Sequence, residues 1–176
     1  MRKSMQIAIA AIFAALAFVA RAYIPAIPIV PPIVFDFRGF FVFSGAALVS
    51  LPFAVIIGVV SGLPASMPYV DIPSYALAAG VVSILSLKLK WWAIPFGPVV
   101  GVISASSILA YTGTLPFNVA VTTLMPRVII NTTLSLLFVW YLSSNRQLAG
   151  MLGIRVPDRA QGFRARLAMS ILGTKH

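Results

Sequence analysis

The chain has 176 residues, of which 60% are hydrophobic and only 9% charged, against about 25% charged in ordinary soluble domains. Thirteen basic residues face three acids, giving a formal charge of +10, and there is no cysteine. This inventory excludes disulfides, thiolate nucleophiles and sulfur-bound metals, and with His176 as the single histidine it excludes a buried His-ligated metal or a Ser-His pair.

Residues 39–70 and 91–126 contain no Asp, Glu, Lys or Arg. Each run far exceeds the roughly 20 apolar residues that cross a bilayer once, so each is expected to cross, turn and cross again. The reading is an all-α integral membrane protein, a bundle of six transmembrane helices over residues 1–144. A basic cytoplasmic tail follows over 145–176.

Arg2 and Lys3 precede an apolar stretch, as in a signal peptide. No convincing cleavage site follows and Arg21 lies in the far flank, so residues 5–22 are expected to form a retained first helix. Ala10 and Ala14, like Ala11 and Ala15, stand four apart and share a helix face. Small residues at that spacing let helices approach closely in lipid. They serve either packing within the bundle or docking of another subunit.

Residues 23–37 carry prolines at 25, 28, 31 and 32, which forbid a regular helix. Non-helical backbone cannot face lipid. A proline-rich external loop is therefore expected, placed to fold over the bundle as a lid. It ends in Phe35-Asp36-Phe37-Arg38, an acid and a base interleaved with aromatics.

Residues 39–63 read as two short helices with a break near Leu51-Pro52, and Gly58 and Gly62 form a GxxxG pair suited to close packing. Residues 64–73 read as a second external loop holding Tyr69 and Asp71, and 74–87 as a fourth helix ending at Lys88 and Lys90. Trp91 and Trp92 read as interfacial anchors. A fifth helix is expected over 95–111, with small residues Gly97, Gly101, Ser104 and Ala105. After a turn at 112–117, the sixth lies within 117–141. Counting from an internal N-terminus puts Lys88, Lys90 and the tail inside, and the loops with Asp36, Arg38 and Asp71 outside. The positive-inside rule gives the same answer. No sequence repeat relates the two halves, which argues against an inverted-repeat secondary transporter.

In the tail, Phe163, Leu167 and Ile171 fall at helical spacing beside Arg159, Arg164 and Arg166. An amphipathic helix on anionic lipid and a solvated basic tail both fit that pattern. Basic residues gathered at segment ends point to topology and anionic lipid, with no nucleic acid partner.

Arg127 is the residue most in need of an explanation, because an ionised side chain in a membrane segment is costly and usually faces a cavity or a partner. If the sixth helix begins near Phe117, Arg127 lies about 15 Å in at 1.5 Å per residue; if it begins at Pro126, Arg127 lies at the external mouth. Asn131 follows four positions later on the same face. The pair is read as the principal polar anchor of a binding site; the alternative is a structural ion pair between Arg127 and Asp36 or Asp71. Asp36 and Arg38 can also pair with each other or cap the second helix, and Asp71 can simply end its loop. Tyr75, Tyr111 and Asn118 are expected near the same external surface, where aromatics also serve as belt residues. Together these residues fit a small-molecule pocket with aromatic walls and few polar anchors. Two arginines against one acid near the mouth lean towards a ligand with an anionic group.

Enzyme classes fall away on the same inventory. There is no GxxxxGK[ST] phosphate loop, the serines at 44 and 61 have no histidine partner, and three scattered aspartates do not make a metal cluster. Neither an enzyme nor a metal or cofactor site is expected.

The order of these features over residues 5–144 resembles the substrate-binding S components of energy-coupling factor (ECF) vitamin transporters. The likeness lies in the alanine-rich first helix with Ala10/Ala14 and Ala11/Ala15, the proline-rich loop, and the Phe35-Asp36-Phe37-Arg38-Gly39 lead into a short second helix. A glycine-containing third helix over 57–63 and three further helices complete it. The resemblance implies that the first helix docks through those alanines on a transmembrane scaffold subunit. It also implies that two ATPase subunits supply energy in trans, and that the loop and the external halves of helices four to six enclose a vitamin-like ligand. Asp36, Arg38, Asn118, Arg127 and Asn131 match regions of such a site. The long basic tail and the absence of glutamate depart from the family pattern, and without a Met-His start metal uptake is not expected. The function implied is capture of a small molecule from outside by a multi-pass cell-membrane protein with both termini cytoplasmic. The alternatives are a scaffolding membrane protein that uses its basic tail, and a stand-alone oligomeric facilitator.

Overall fold

The computed structural model describes residues 3–24, 27–30 and 33–145. The expectations for the basic tail, including Phe163, Leu167 and Ile171, lie outside these residues. Six α-helices follow one another: α1 Lys3–Tyr23, α2 Arg38–Ala46, α3 Leu51–Gly62, α4 Pro68–Leu89, α5 Phe96–Tyr111 and α6 Phe117–Ser144. Two short antiparallel strands, β1 Ile27–Val30 and β2 Ile33–Phe35, join α1 to α2, and a 3-10 turn, Lys90–Ala93, joins α4 to α5.

Among the described residues, three stretches are long and apolar enough to cross a membrane: Lys3–Tyr23, Pro68–Ala93 and Phe117–Leu142. The 12-residue α3 and 16-residue α5 are apolar but shorter. Helix count and order follow the sequence; several boundaries do not. The break between α2 and α3 falls at 47–50, and Pro52 sits in the first turn of α3, where its missing N–H would have had no helical partner. The loop expected over 64–73 is shorter, because α4 starts at Pro68 for the same reason and continues through Pro73. Tyr69 and Asp71 therefore belong to a helix. Within the proline-rich segment β1 and β2 pair antiparallel, and β2 lies against α6.

The nine-residue α2 is the central element. It packs against α1, α3, α4, α5 and α6, and seven of its residues, from Arg38 to Ala46, are buried. Around it α1 packs on α3, α3 on α4, α4 on α5 and α5 on α6. The GxxxG pair makes the α3–α4 contact: a β-carbon on Gly58 would lie 2.5 Å from the Tyr75 carbonyl oxygen, and one on Gly62 2.8 Å from the Ile72 backbone. Only hydrogen atoms fit between these backbones.

Serine hydroxyls fasten the helices across their lengths. Ser83 donates to the Val49 carbonyl at 2.8 Å, Ser135 to the Phe40 carbonyl at 3.3 Å, and Ser50 to Gln6 Oε1 at 2.6 Å. Ile9, Ala10, Phe13, Ala14 and Ala17 of α1 are packed into the chain's own core, whereas Ala11 and Ala15 are exposed. Of the four alanines expected to dock a partner, two are exposed. Ala10 and Ala14 are used internally, because Phe13 between them turns inwards and edges Phe138 of α6 at 6.2 Å.

Candidate functional site

Arg38 opens α2 and is only 2% exposed. A buried guanidinium needs several acceptors, and three elements supply them. Asp36 lies two residues earlier; its Oδ1 accepts the Arg38 backbone N–H at 3.1 Å and its Oδ2 faces Arg38 Nη2 at 3.5 Å. Asp71, in the first turn of α4 where the helix dipole favours an anion, accepts from Arg38 Nη1 at 2.8 Å. The Ser61 carbonyl at the end of α3 accepts from the same nitrogen at 3.4 Å. Tyr75 stands one turn after Asp71, and the guanidinium carbon lies 4.3 Å from its ring centroid. The ring is in turn stacked on Phe43, with centroids 6.1 Å apart.

Both acids are thus committed to Arg38. Asp36 at once caps α2 and pairs, and the structural ion pair considered for Arg127 does not form. Its position is settled as well: α6 begins at Phe117, so Arg127 lies about ten residues, roughly 15 Å, into the helix.

These residues border a cavity of about 290 Å³ between α1, α2, α4, α5 and α6. Of the residues singled out in the sequence, Asp36, Arg38, Asp71, Tyr75, Arg127 and Asn131 all line it. Two do not. Tyr111 is 94% exposed at the last residue of α5, and Asn118 is exposed in the first turn of α6. Apolar wall comes from Val70 of α4, Val102, Ala105 and Leu109 of α5, and Leu124 and Val128 of α6.

Arg21, Ser66 and Ser74 line the cavity without having been marked as site residues. Arg21, in the last turn of α1, donates to Ser66 Oγ at 3.4 Å. A lone cation at the end of an apolar helix was signal enough to find it. The two serines carry none, because serines occur throughout this chain as helix fasteners.

Arg21 Nε and Arg38 Nε are buried without an acceptor at this cavity, but on α6 an orphan donor and an orphan acceptor stand one turn apart. Arg127 Nε is buried without a hydrogen-bond acceptor, and among the described residues Arg127 makes no ion pair. Asn131 is 4% exposed, and its Oδ1 has no donor. Its side chain is pressed against Gly39 of α2, where a β-carbon would lie 2.6 Å from Nδ2. A buried polar group with no partner is rare in a finished fold and calls for a water, an ion or a ligand.

No protein-family model, curated protein or solved structure matches this chain. Its function has to be argued from the cavity's own chemistry.

Proposed function

We propose that the chain is a multi-pass membrane protein that binds a small, vitamin-like molecule carrying an anionic group, as the S component of an ECF-type importer. The observation that carries this reading is the orphaned Arg127–Asn131 pair in a cavity whose two acids both pair with Arg38 and not with Arg127. A cation held deep in an apolar helix with nothing to neutralise it is costly, and a bound anion removes that cost. The cavity volume sits near the lower end of the roughly 300–1,000 Å³ usual for small-molecule pockets, with apolar walls and few polar anchors.

Three long apolar helices support a membrane location; in the proposed six-span bundle with both ends cytoplasmic, α2, α3 and α5 are shorter than the roughly 20 residues of a full crossing and pass through only part of the bilayer. Exposed apolar side chains along α1, among them Ile7, Ile12, Leu16 and Val19, suit lipid or a partner helix. In this reading the exposed Ala11 and Ala15 are the part of α1 left for docking on a scaffold subunit, which with two ATPase subunits would supply energy. The cavity is proposed as a binding site, with no catalytic role.

Mass spectrometry of the full chain purified in mild detergent tests the reading. A copurified small molecule with an anionic group, displaced with loss of thermal stability, is the expected result. An empty preparation that also gives no melting shift with a vitamin panel overturns it in favour of a scaffolding protein. Uptake into liposomes by this chain alone would overturn the importer subunit in favour of a facilitator.

A further inference from the structure

The cavity carries charges of both signs at separate points. Arg38 stands between Asp36 and Asp71, so one guanidinium faces two carboxylates and the cluster keeps one negative charge in excess. Asp71 Oδ2 takes the hydrogen bond from Arg38, while the other carboxylate oxygen accepts none among the described residues. The Asp71 side chain is 23% exposed and lines the cavity. On α6 the sign is reversed: Arg127 offers a buried donor without an acceptor, and one turn on Asn131 offers a buried acceptor without a donor. Positions i and i+4 share a helix face, so the orphan donor and the orphan acceptor are neighbours.

We propose that the cavity takes a zwitterion of α-amino-acid type. Its carboxylate is gripped by Arg127, its ammonium group donates to Asn131 Oδ1, and Asp71 supplies the charge opposite the ammonium. The proposal rests on reading the cavity as a ligand site and names the ligand's class. In an α-amino acid both groups sit on one carbon, which suits a donor and an acceptor a single helical turn apart. A plain carboxylate would satisfy Arg127 but leave Asn131 Oδ1 unmet and face the excess negative charge at Asp71. A plain amine would oppose Arg127 and Arg21. In a desolvated site both mismatches are magnified by the low dielectric. A ligand with both signs meets Arg127, Asn131 Oδ1 and the excess charge at Asp71 together.

The test titrates the purified full chain with the standard L-amino acids, and beside each its deaminated carboxylic acid and its decarboxylated amine. Melting shift and calorimetric Kd are the readouts. At least one amino acid is expected to bind, with each truncated counterpart about tenfold weaker or more. Asp71→Asn keeps an oxygen for Arg38 and removes the charge, so it should erase or reverse the preference over the deaminated acid. Asn131→Leu leaves the Arg38 cluster untouched and should erase the same preference even if Asp71→Asn fails to fold. Equal binding of the deaminated acid marks a plain anion site; it overturns the zwitterion and leaves the proposed function standing. Binding by none of the probes also overturns it, and the proposed function falls with it only if mass spectrometry finds no copurified small molecule.

Discussion

Gly39 and Asn131 meet so closely that a β-carbon on the glycine would lie 2.6 Å from Asn131 Nδ2 and 2.8 Å from its Cγ. The missing side chain on α2 is what lets the Asn131 amide stay buried at the cavity wall. Gly39→Ala is expected to push Asn131 out of place and to destabilise the apo protein by about 1–3 kcal/mol, the usual cost of overpacking. Thermal unfolding in detergent, together with the amount of copurified small molecule, measures both effects. Unchanged ligand content in Gly39→Ala would remove Asn131 from the site.

The Arg38 cluster makes the opposite kind of prediction, about fold and not about binding. Removing one partner of a buried pair leaves uncompensated charge, at a cost of about 3–5 kcal/mol. Arg38→Met strands Asp36 and Asp71 and should lower the apo melting temperature sharply. Combining it with Asp36→Asn and Asp71→Asn should recover most of the loss, because no charge is then left unpaired. A triple variant as unstable as Arg38→Met would show that the guanidinium's packing on Tyr75, and not its charge, holds α2 in place.

Gly58 and Gly101 are both helical glycines with opposite expectations. A methyl on Gly58 would meet the Tyr75 carbonyl at 2.5 Å, so Gly58→Ala must separate α3 from α4 and should cost about 1–3 kcal/mol. A methyl on Gly101 would meet only Ala78 Cβ at 3.5 Å, an ordinary contact. Gly101→Ala should gain about 0.5–1 kcal/mol from helix propensity. Melting curves of the two variants side by side decide the matter, and equal behaviour would contradict the close α3–α4 contact.

Much of this was legible because charge is so scarce in the chain. Asp36, Arg38, Asp71, Arg127 and Asn131 stood out in apolar surroundings, where polar groups must find one another or a cavity. Helix phase was not legible. α5 has no charged or amide side chain to mark its inner face, so nothing in it says that Tyr111 points away from the cavity. Asn118 stands nine residues before Arg127, about half a turn round, which shows only once Pro126 is known to lie within one continuous α6. The same ambiguity hid which alanine pair of α1 turns inwards; that is decided by Phe13 meeting Phe138, a contact across 125 positions of chain. Proline misled at Pro68 because it is equally at home in a loop and at a helix start, and at Pro73 because it usually ends a helix but here lies inside α4.

The six-span arrangement predicts opposite labelling at the two ends of α4. Ser66 precedes α4, Lys88 lies near its far end, and Thr114 lies between α5 and α6; all three are exposed. Single cysteines at Ser66 and Thr114 should react with an impermeant thiol reagent on intact cells, and one at Lys88 should react only after lysis. Labelling of all three on intact cells, or of Lys88 alone, would overturn the proposed topology.

Arg127 separates a binding role from a structural one. It makes no hydrogen bond or ion pair among the described residues, so Arg127→Ala strands no carboxylate and should leave the apo melting temperature unchanged or raise it. A desolvated charge-assisted hydrogen bond contributes about 1.5–3 kcal/mol, which is roughly tenfold to more than a hundredfold in affinity. Affinity for the copurified molecule should fall by that order. Arg127→Lys should restore little of it, since lysine keeps the charge but not the planar fork that grips a carboxylate from two nitrogens. Calorimetric titration and apo melting of both variants give the answer. Wild-type affinity in Arg127→Ala alongside a large apo destabilisation would return Arg127 to the scaffold of the fold and leave the cavity without its anchor.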